Sequence, residues 1–342
     1  MKPLGWGFVG ASLWARERLV PAVKATDGAE AVAVFSTSME RGQRFARDCG
    51  LPRAYHALDD LLADPDIDVV YVSTTNDLHA AQTVAAARAG KHVLCEKPLA
   101  MTLADAHAMV QACERAGVVL ATNHHIRGAA TIEAIRRLLD EGAIGDVISA
   151  RIAFLSLLPE GMRSWRLQRP EAGGGVVLDL TVHGADTIRS LLGDEIVEVT
   201  AVTSSGELGK GVVEDTAMGV MRTGRGPLVE FHDSFTVAHA SNGLEIHGTD
   251  GSVFARDVLG PDPTGRVWLR RGDTTSEVAV SRRWPLYENV VRRFMAAVRG
   301  EGAALASGQD GVSSLAVALA ALESARQRRP VSLEGDGLVP AP

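Results

Sequence analysis

The chain has 342 residues, 46% hydrophobic and 23% charged, with a formal net charge of −7. That length exceeds what one core ordinarily serves and points to two domains. The acidic balance argues against a phosphate-backbone partner, so no nucleic acid is expected. No apolar run approaches the roughly 18 residues of a membrane-spanning helix. The start, Met1-Lys-Pro-Leu-Gly, has no signal-peptide layout. Cys49, Cys95 and Cys113 cannot all pair and none lies in a C-x-x-C, which fits reduced thiols in a cytoplasm.

The first apolar run predicts a strand at 4–9, followed by a helix at 14–25. Strands at 29–35, 67–72, 92–95 and 118–122 then alternate with helices at 39–49, 79–89 and 102–116. Strands alternating with helices of about 10–15 residues indicate βαβ units in a parallel, doubly wound sheet. The strands are almost continuously apolar, as expected where both faces are covered. After residue 123 the pattern changes. A helix is expected at 128–141, a strand at 147–154, a loop rich in Pro, Gly and Arg up to 175, and a helix at 176–192. Strand-like runs follow at 196–202, 213–221, 228–235, 243–247, 253–256, 267–271 and 277–280, with Gly248-Thr-Asp-Gly251 as a hairpin turn. Helices at 285–299 and 311–326 close the chain, and 335–342 reads as a frayed end. The fold class is α/β, with a Rossmann domain over 1–123 and an α+β domain with a largely antiparallel open sheet over 124–342.

Between the first strand and helix, Gly10, Ser12 and Ala15 occupy the places of G-x-G-x-x-G. The first Gly makes the tight turn, and the third position tolerates Ala. Ser12 offers a hydroxyl where the middle Gly lets a backbone approach pyrophosphate, and the helix N-terminus favours an anion. No carboxylate ends the second strand to take the ribose hydroxyls of NAD. Ser36, Thr37, Ser38 and Arg41 stand there instead, which suits a 2′-phosphate. The alternative is that Ser38 caps the next helix and Arg41 is solvated. Ser73-Thr-Thr-Asn76 and His79 lie on the ligand side of the third strand, where Asn76 or Asp77 also suits helix capping.

The strand at 92–95 runs into Glu96-Lys97-Pro98, charges aimed at the crevice of an open α/β sheet unless they form a surface pair. After Gly173-Gly-Gly175, Asp179 and His183 share a helical face, Asp186 is one step further, and Val177, Leu180, Ile188 and Leu191 lie opposite. A carboxylate beside an imidazole suits proton transfer, although the same spacing also makes ordinary surface pairs. Adjacent His124 and His125 point different ways, and no H-E-x-x-H or Cys/His cluster exists, so no metal is expected. No G-x-S-x-G follows a strand, which speaks against nucleophilic hydrolysis.

The degenerate G-x-G-x-x-G, Ser-Thr-Thr-Asn-x-x-His, Glu-Lys-Pro and G-G-G-x-x-x-D-x-x-x-H-x-x-D together resemble the Gfo/Idh/MocA family of nicotinamide-dependent sugar oxidoreductases. The resemblance covers essentially the whole chain. It implies NADP(H) contacts at Gly10, Ala11, Ser12, Leu13, Trp14, Ser36, Thr37, Arg41, Thr74, Asn76, His79, Glu96, Lys97, Asn123, Trp165, Arg166 and Tyr287. It implies that Lys97, Asp179 and His183 bind a small-molecule sugar and carry catalysis. The implied reaction is reduction of a cyclic ketosugar, with His183 as general acid and the Lys97 ammonium stabilising the developing alkoxide. The resemblance also implies an open C-terminal sheet through which copies of the chain pair as a homo-oligomer. Trp14, Gly128 and residues 155–162 depart from the expected pattern, and the last of these borders the sugar. Three alternatives stand beside this reading. One is a dehydrogenase of another pyranose or an inositol. Another is a nucleotide-sensing regulatory protein, which would need none of Lys97, Asp179 and His183. The third is a glycosidase using transient hydride transfer.

Overall fold

Apolar runs without polar alternation become the parallel strands of one sheet. In the computed structural model, which describes residues 2–262, 264–280, 285–334 and 337–340, β1 (Leu4–Val9) leads through a wide π-type turn at Ala15–Leu19 into α1 (Val20–Ala25). β2 (Ala29–Phe35) leads into α2 (Met39–Cys49). Next come β3 (Arg53–Tyr55) and α3 (Leu58–Ala63), neither of them expected, because such short elements establish no period. β4 (Val69–Val72), α4 (His79–Arg88), β5 (His92–Cys95), α5 (Leu103–Ala116) and β6 (Leu120–Thr122) complete the series. The strand order is β3-β2-β1-β4-β5-β6, with every pair parallel. Trp6, Phe8, Tyr71 and Leu94 are buried at its centre. Strand order reverses between β1 and β4, so the loops beyond their carboxyl ends part and open a ligand crevice.

The second sheet is built differently. α6 (Ala130–Asp140) and β7 (Val147–Leu155) precede α7 (Arg163–Gln168), a second π-type turn at Val177–Thr181 and α8 (Val182–Leu192). Seven strands follow: β8 (Ile196–Ser204), β9 (Thr216–Thr223), β10 (Leu228–Ser234), β11 (Gly243–Gly248), β12 (Ser252–Arg256), β13 (Arg266–Arg271) and β14 (Thr274–Glu277). Then come α9 (Leu286–Val298), α10 (Gly308–Gln327), β15 (Val331–Glu334) and β16 (Gly337–Pro340). The ten strands lie in the order β14-β13-β12-β11-β7-β10-β9-β8-β15-β16. All neighbours are antiparallel except β7 and β10. The strands alternate. On β10, Val229, Phe231 and Asp233 are buried while Leu228 and Glu230 are exposed. α8 lies against β7, where a Cβ on Gly184 would be 3.7 Å from Ile152. Ser324 on α10 accepts the Ala201 N–H of β8 at 3.0 Å.

The departures from expectation have local causes. The strand expected from 213 begins at Thr216, because the Asp215 carboxylate accepts the N–H groups of Gly206, Leu208 and Gly209 and ties that segment into a loop. The outermost strand is Thr274–Glu277 and not 277–280, since the chain turns at Gly272 (φ +55°) and pairs Arg271 with Thr274. Residues 337–340, expected to fray, pair with β15, whose open edge supplies backbone partners. The loop before 175 contains α7. The chain divides into two compact units, Met1–His125 with Tyr287–Val312, and Ile126–Leu286 with Ser313–Pro342. Residues 287–312 therefore leave the C-terminal domain assigned to them. Phe294 packs on Trp6 with ring centroids 5.5 Å apart, and Ser307 bridges to Ala121 beside β6. Among the described residues no helix is long and apolar enough to cross a membrane.

α8 also carries a deeply buried ion pair. Asp186, 1% exposed, takes the Arg127 guanidinium in two bonds of 2.7 and 2.6 Å and the Ser314 hydroxyl at 3.1 Å. Asp186→Ala strands that guanidinium and is expected to cost about 3–5 kcal/mol. Urea unfolding should show a lower midpoint at unchanged slope, whereas a wild-type midpoint would mean the pair carries no such weight.

Candidate active site

In the first unit the turn after β1 is set by Gly10, whose φ is +107°. A Cβ there would lie 3.0 Å from the Thr74 methyl and 3.2 Å from the Ser73 carbonyl, so only glycine fits. Ser12 Oγ donates to Ser73 Oγ at 2.8 Å and accepts the Ala15 N–H at 3.0 Å, joining the turn to the end of β4. Ala11, Leu13 and Trp14 remain partly or fully accessible beside it. At the end of β2, Ser36 Oγ accepts from Arg41 Nε at 2.9 Å, and Thr37 Oγ1 from Arg41 Nη2 at 3.4 Å. Ser38 does cap α2, accepting the Arg41 N–H, but the guanidinium is gathered with the hydroxyls as well. A cation with two hydroxyls at this strand end suits a phosphate group. Tight glycine turn and cationic strand end together fit a dinucleotide.

The deeper residues brace each other. Glu96, at the end of β5, accepts the Tyr71 hydroxyl at 2.5 Å, the Asn123 amide at 2.6 Å and the N–H of Lys97 at 3.3 Å. Burial still raises its carboxyl above the ordinary range, with Tyr71, Asn123 and Lys97 opposing. Asn123 and Lys97 are themselves buried. His79, expected to touch the cofactor, is 0% exposed, and its Nδ1 lies 3.0 Å from the Pro98 carbonyl. It props the Lys97-Pro98 turn and has no surface to offer a ligand. Thr74 Oγ1 bonds Gln82 at 2.7 Å, and Asn76 opens a single 3₁₀ turn, with no side-chain cap on α4.

Tyr287 belongs to this unit, on α9. Its ring stacks on His125 at 5.1 Å, with the Arg18 guanidinium 6.0 Å from the ring centre. Burial, and then the Lys97 ammonium, push His125 down to about 3, so its imidazole stays neutral. Sequence reasoning did not single out Tyr71, His125 or Arg18 for the site. A lone hydroxyl in an otherwise apolar strand was the available signal for Tyr71.

In the second unit Asp179 lies within the π-type turn and His183 one residue into α8. A π-type turn is wider than an α turn, which loosens the strict i,i+4 alignment expected of the pair. Arg166 Nε stands 3.3 Å from the Asp179 carboxylate, and its guanidinium lies 4.6 Å from the Trp165 ring centre. Arg166 is thus an anchor for Asp179. The turn begins at Gly175 (φ +111°), where any Cβ would collide with the Glu214 carboxylate. Glu214 accepts the Val176 N–H on its backbone oxygen at 3.0 Å and the Val177 N–H on its side chain at 3.1 Å. His183, 4% exposed, lies against Phe154 with ring centroids 6.3 Å apart. Asp186, expected to extend the face of Asp179 and His183, is spent on Arg127 instead. Val177, Leu180, Ile188 and Leu191 are buried, but so is nearly all of α8, and they form no separate stripe. Among the described residues no three His, Cys, Asp or Glu side chains are grouped to hold a metal ion.

Residues 4–124 match the family described as "Oxidoreductase family, NAD-binding Rossmann fold", and 132–254 the GFO/IDH/MocA C-terminal domain. The chain is 48% identical over 329 residues to the 1,5-anhydro-D-fructose reductase of Ensifer adhaerens, spanning 96% of this chain and 98% of the relative. It is 30% identical to the D-apiose dehydrogenase of Paraburkholderia graminis, over 96% of this chain and 89% of that one. The solved aldose-aldose oxidoreductase of Caulobacter crescentus superposes with a TM-score of 0.89 at 27% identity, covering 97% of this chain and all 100% of the other.

Tyr71→Phe removes a hydroxyl that favours the ionised form of Glu96, and is expected to cost about 1.5–3 kcal/mol near neutral pH. Glu96 has a raised folded pKa, so its favourable contribution is present below the unfolded value and is lost as pH rises through the folded one. The substitution raises the folded pKa further. The deficit is therefore largest above it and fades as acid protonates Glu96 in both states. Urea midpoints across pH check this, and a deficit that grew toward acid would contradict it.

Proposed function

The chain belongs to the Gfo/Idh/MocA family of oxidoreductases, and from that premise we propose that it reduces 1,5-anhydro-D-fructose to 1,5-anhydro-D-mannitol with NADPH. A sugar oxidoreductase with a nicotinamide cofactor is what membership itself carries. The finer reading is supported above all by the near full-length likeness to the Ensifer adhaerens reductase.

When bound, the nicotinamide coenzyme supplies the hydride. The turn from Gly10 to Trp14 holds the pyrophosphate, and Ser36, Thr37 and Arg41 hold the 2′-phosphate. Thr74, Asn76, Glu96, Asn123, Trp165, Arg166 and Tyr287 complete the cofactor's surroundings. Reduction places negative charge on the carbonyl oxygen. Lys97 stabilises that alkoxide as a fixed ammonium, and His183 donates the proton that completes the hydroxyl. Asp179, anchored by Arg166, orients the sugar or the imidazole. His125, held neutral, does not compete as a proton donor. Copies of the chain pair through the outer face of the second sheet, where Val202, Met218 and Val220 are exposed. A reducing cytoplasm suits the free thiols of Cys49, Cys95 and Cys113.

The experiment is a panel of ketosugars with NADPH, and of polyols with NADP, followed by nicotinamide absorbance. 1,5-Anhydro-D-fructose should give the highest kcat/KM, and a polyol or aldose oxidised far faster would replace the assignment. On the same assay His183→Ala should lower kcat by on the order of 10²–10⁴-fold with NADPH affinity nearly unchanged. Wild-type turnover in that variant would remove the general-acid role. Charge-assisted hydrogen bonds contribute about 1.5–3 kcal/mol, so Arg41→Ala should weaken NADPH roughly 10- to 150-fold. NADH, lacking the phosphate, should be affected much less. Equal losses for both coenzymes, or a wild type that prefers NADH, would count against the phosphate site.

A further inference from the structure

The inner face of β10 is apolar at Val229 and Phe231 and then carries a carboxyl at Asp233, only 1% exposed. A carboxyl in such surroundings is unfavourable unless hydrogen-bonded. Well-packed hydrophobic residues in place of buried charged groups are often neutral or stabilising, so packing alone does not account for it. Its partners are specific. The Thr181 hydroxyl, fully buried, donates to Asp233 Oδ2 at 2.7 Å. The backbone N–H of Phe154, its neighbour in register on β7, also favours the carboxylate, while burial raises the group to about 7.

Both partners lead to the same imidazole. Thr181 ends the π-type turn that holds Asp179, and His183 follows two residues later. Phe154 is the ring against which His183 lies. Glu214 fixes the opposite end of the turn, through Val176 and Val177. Of the groups in register with Asp233, Ala217 on β9 and Phe154 on β7 are uncharged, while the π-type turn carries Asp179 and α8 after it carries His183, Asp186 and Arg189.

We propose that Asp233 is a positioning residue for the reduction, acting through Thr181 and Phe154 to hold His183 in the attitude from which it donates its proton. Asp233 itself touches neither sugar nor coenzyme, and the proposal rests on the reading of His183 as proton donor.

The test uses Asp233→Leu, Asp233→Asn and Thr181→Val, each alone and combined with His183→Ala. For each, kcat and KM for 1,5-anhydro-D-fructose, the Kd for NADPH and the urea midpoint are measured. Asp233→Leu and Thr181→Val should lower kcat by about 10- to 100-fold, as expected when a reacting group is misplaced. NADPH affinity should stay at the wild-type value. Asp233→Asn, which keeps an acceptor for Thr181, should recover most of the rate. In the His183→Ala background Asp233→Leu should cost nothing further, because its effect runs through the missing imidazole. Full additive losses in the double variant, or wild-type kcat in both Asp233→Leu and Thr181→Val, overturn the proposal. If His183→Ala alone turned over at the wild-type rate, the proton-donor reading would fall first and the positioning role with it. Should Asp233→Leu not fold, the near-isosteric Thr181→Val carries the same comparison.

Discussion

A carboxylate at the carboxyl end of β5, taken out of water and kept hydrogen-bonded, is the constraint on which the first unit depends. Glu96 ties together three neighbouring strand ends: its own, that of β4 through Tyr71, and that of β6 through Asn123. Both Glu96 oxygens are hydrogen-bonded, and a buried network held in this way specifies one arrangement of its members. Lys97 inherits its place from this cluster, with His79 supporting the following carbonyl from the side. The charged residue that meets the substrate in our reading is therefore positioned by hydrogen-bonded partners behind it.

The second unit repeats the device with different residues. Two carboxyls, Glu214 just before β9 and Asp233 on β10, meet opposite ends of the turn containing Asp179. Burial raises both above the ordinary carboxylate range, Asp233 to about 7, while the hydrogen bonds that each accepts oppose it. Asp179 has its own counter-ion in Arg166, and Asp186 has Arg127. The hydrogen bonds of the raised pair shape the backbone of the turn. A helix that is polar at several positions can in this way lie almost wholly buried on an apolar sheet.

Such placement has an electrostatic consequence in the first unit. His125 is buried, which disfavours its charged form, and the Lys97 ammonium nearby adds to this. His125 responds by staying neutral down to about 3, and its flat ring is free to stack on Tyr287. The adjacent His124 and His125 are both buried, and the ring of His125 serves packing against Tyr287.

Much of the fold was legible in order along the chain. β1, β2, β5 and α2 fall where the apolar runs and the Ser38 cap put them, because strands covered on both faces must be continuously apolar and a cap is a local interaction. The glycine turn and the cationic end of β2 were equally local, and so could be read. The π-type turns could not be, since apolar residues at helical spacing serve α and π geometry alike, and the contacts at their ends, of Ser12 with Ala15, Glu214 with Val177 and Asp233 with Thr181, are not visible in that spacing. Residues 287–312 joined the first unit through Phe294 and Ser307, contacts with partners far away in sequence. The bracing of Glu96 by Tyr71 and of Thr181 by Asp233 spans 25 and 52 residues. Sequence by itself determined the motifs from which the proposed site residues are drawn and most of the elements that bear them. Tertiary structure decided which carboxyls are buried and what each is bonded to, and that His79 meets the Pro98 carbonyl and Asp186 the Arg127 guanidinium, because burial and pairing are properties of neighbours that the chain order does not contain.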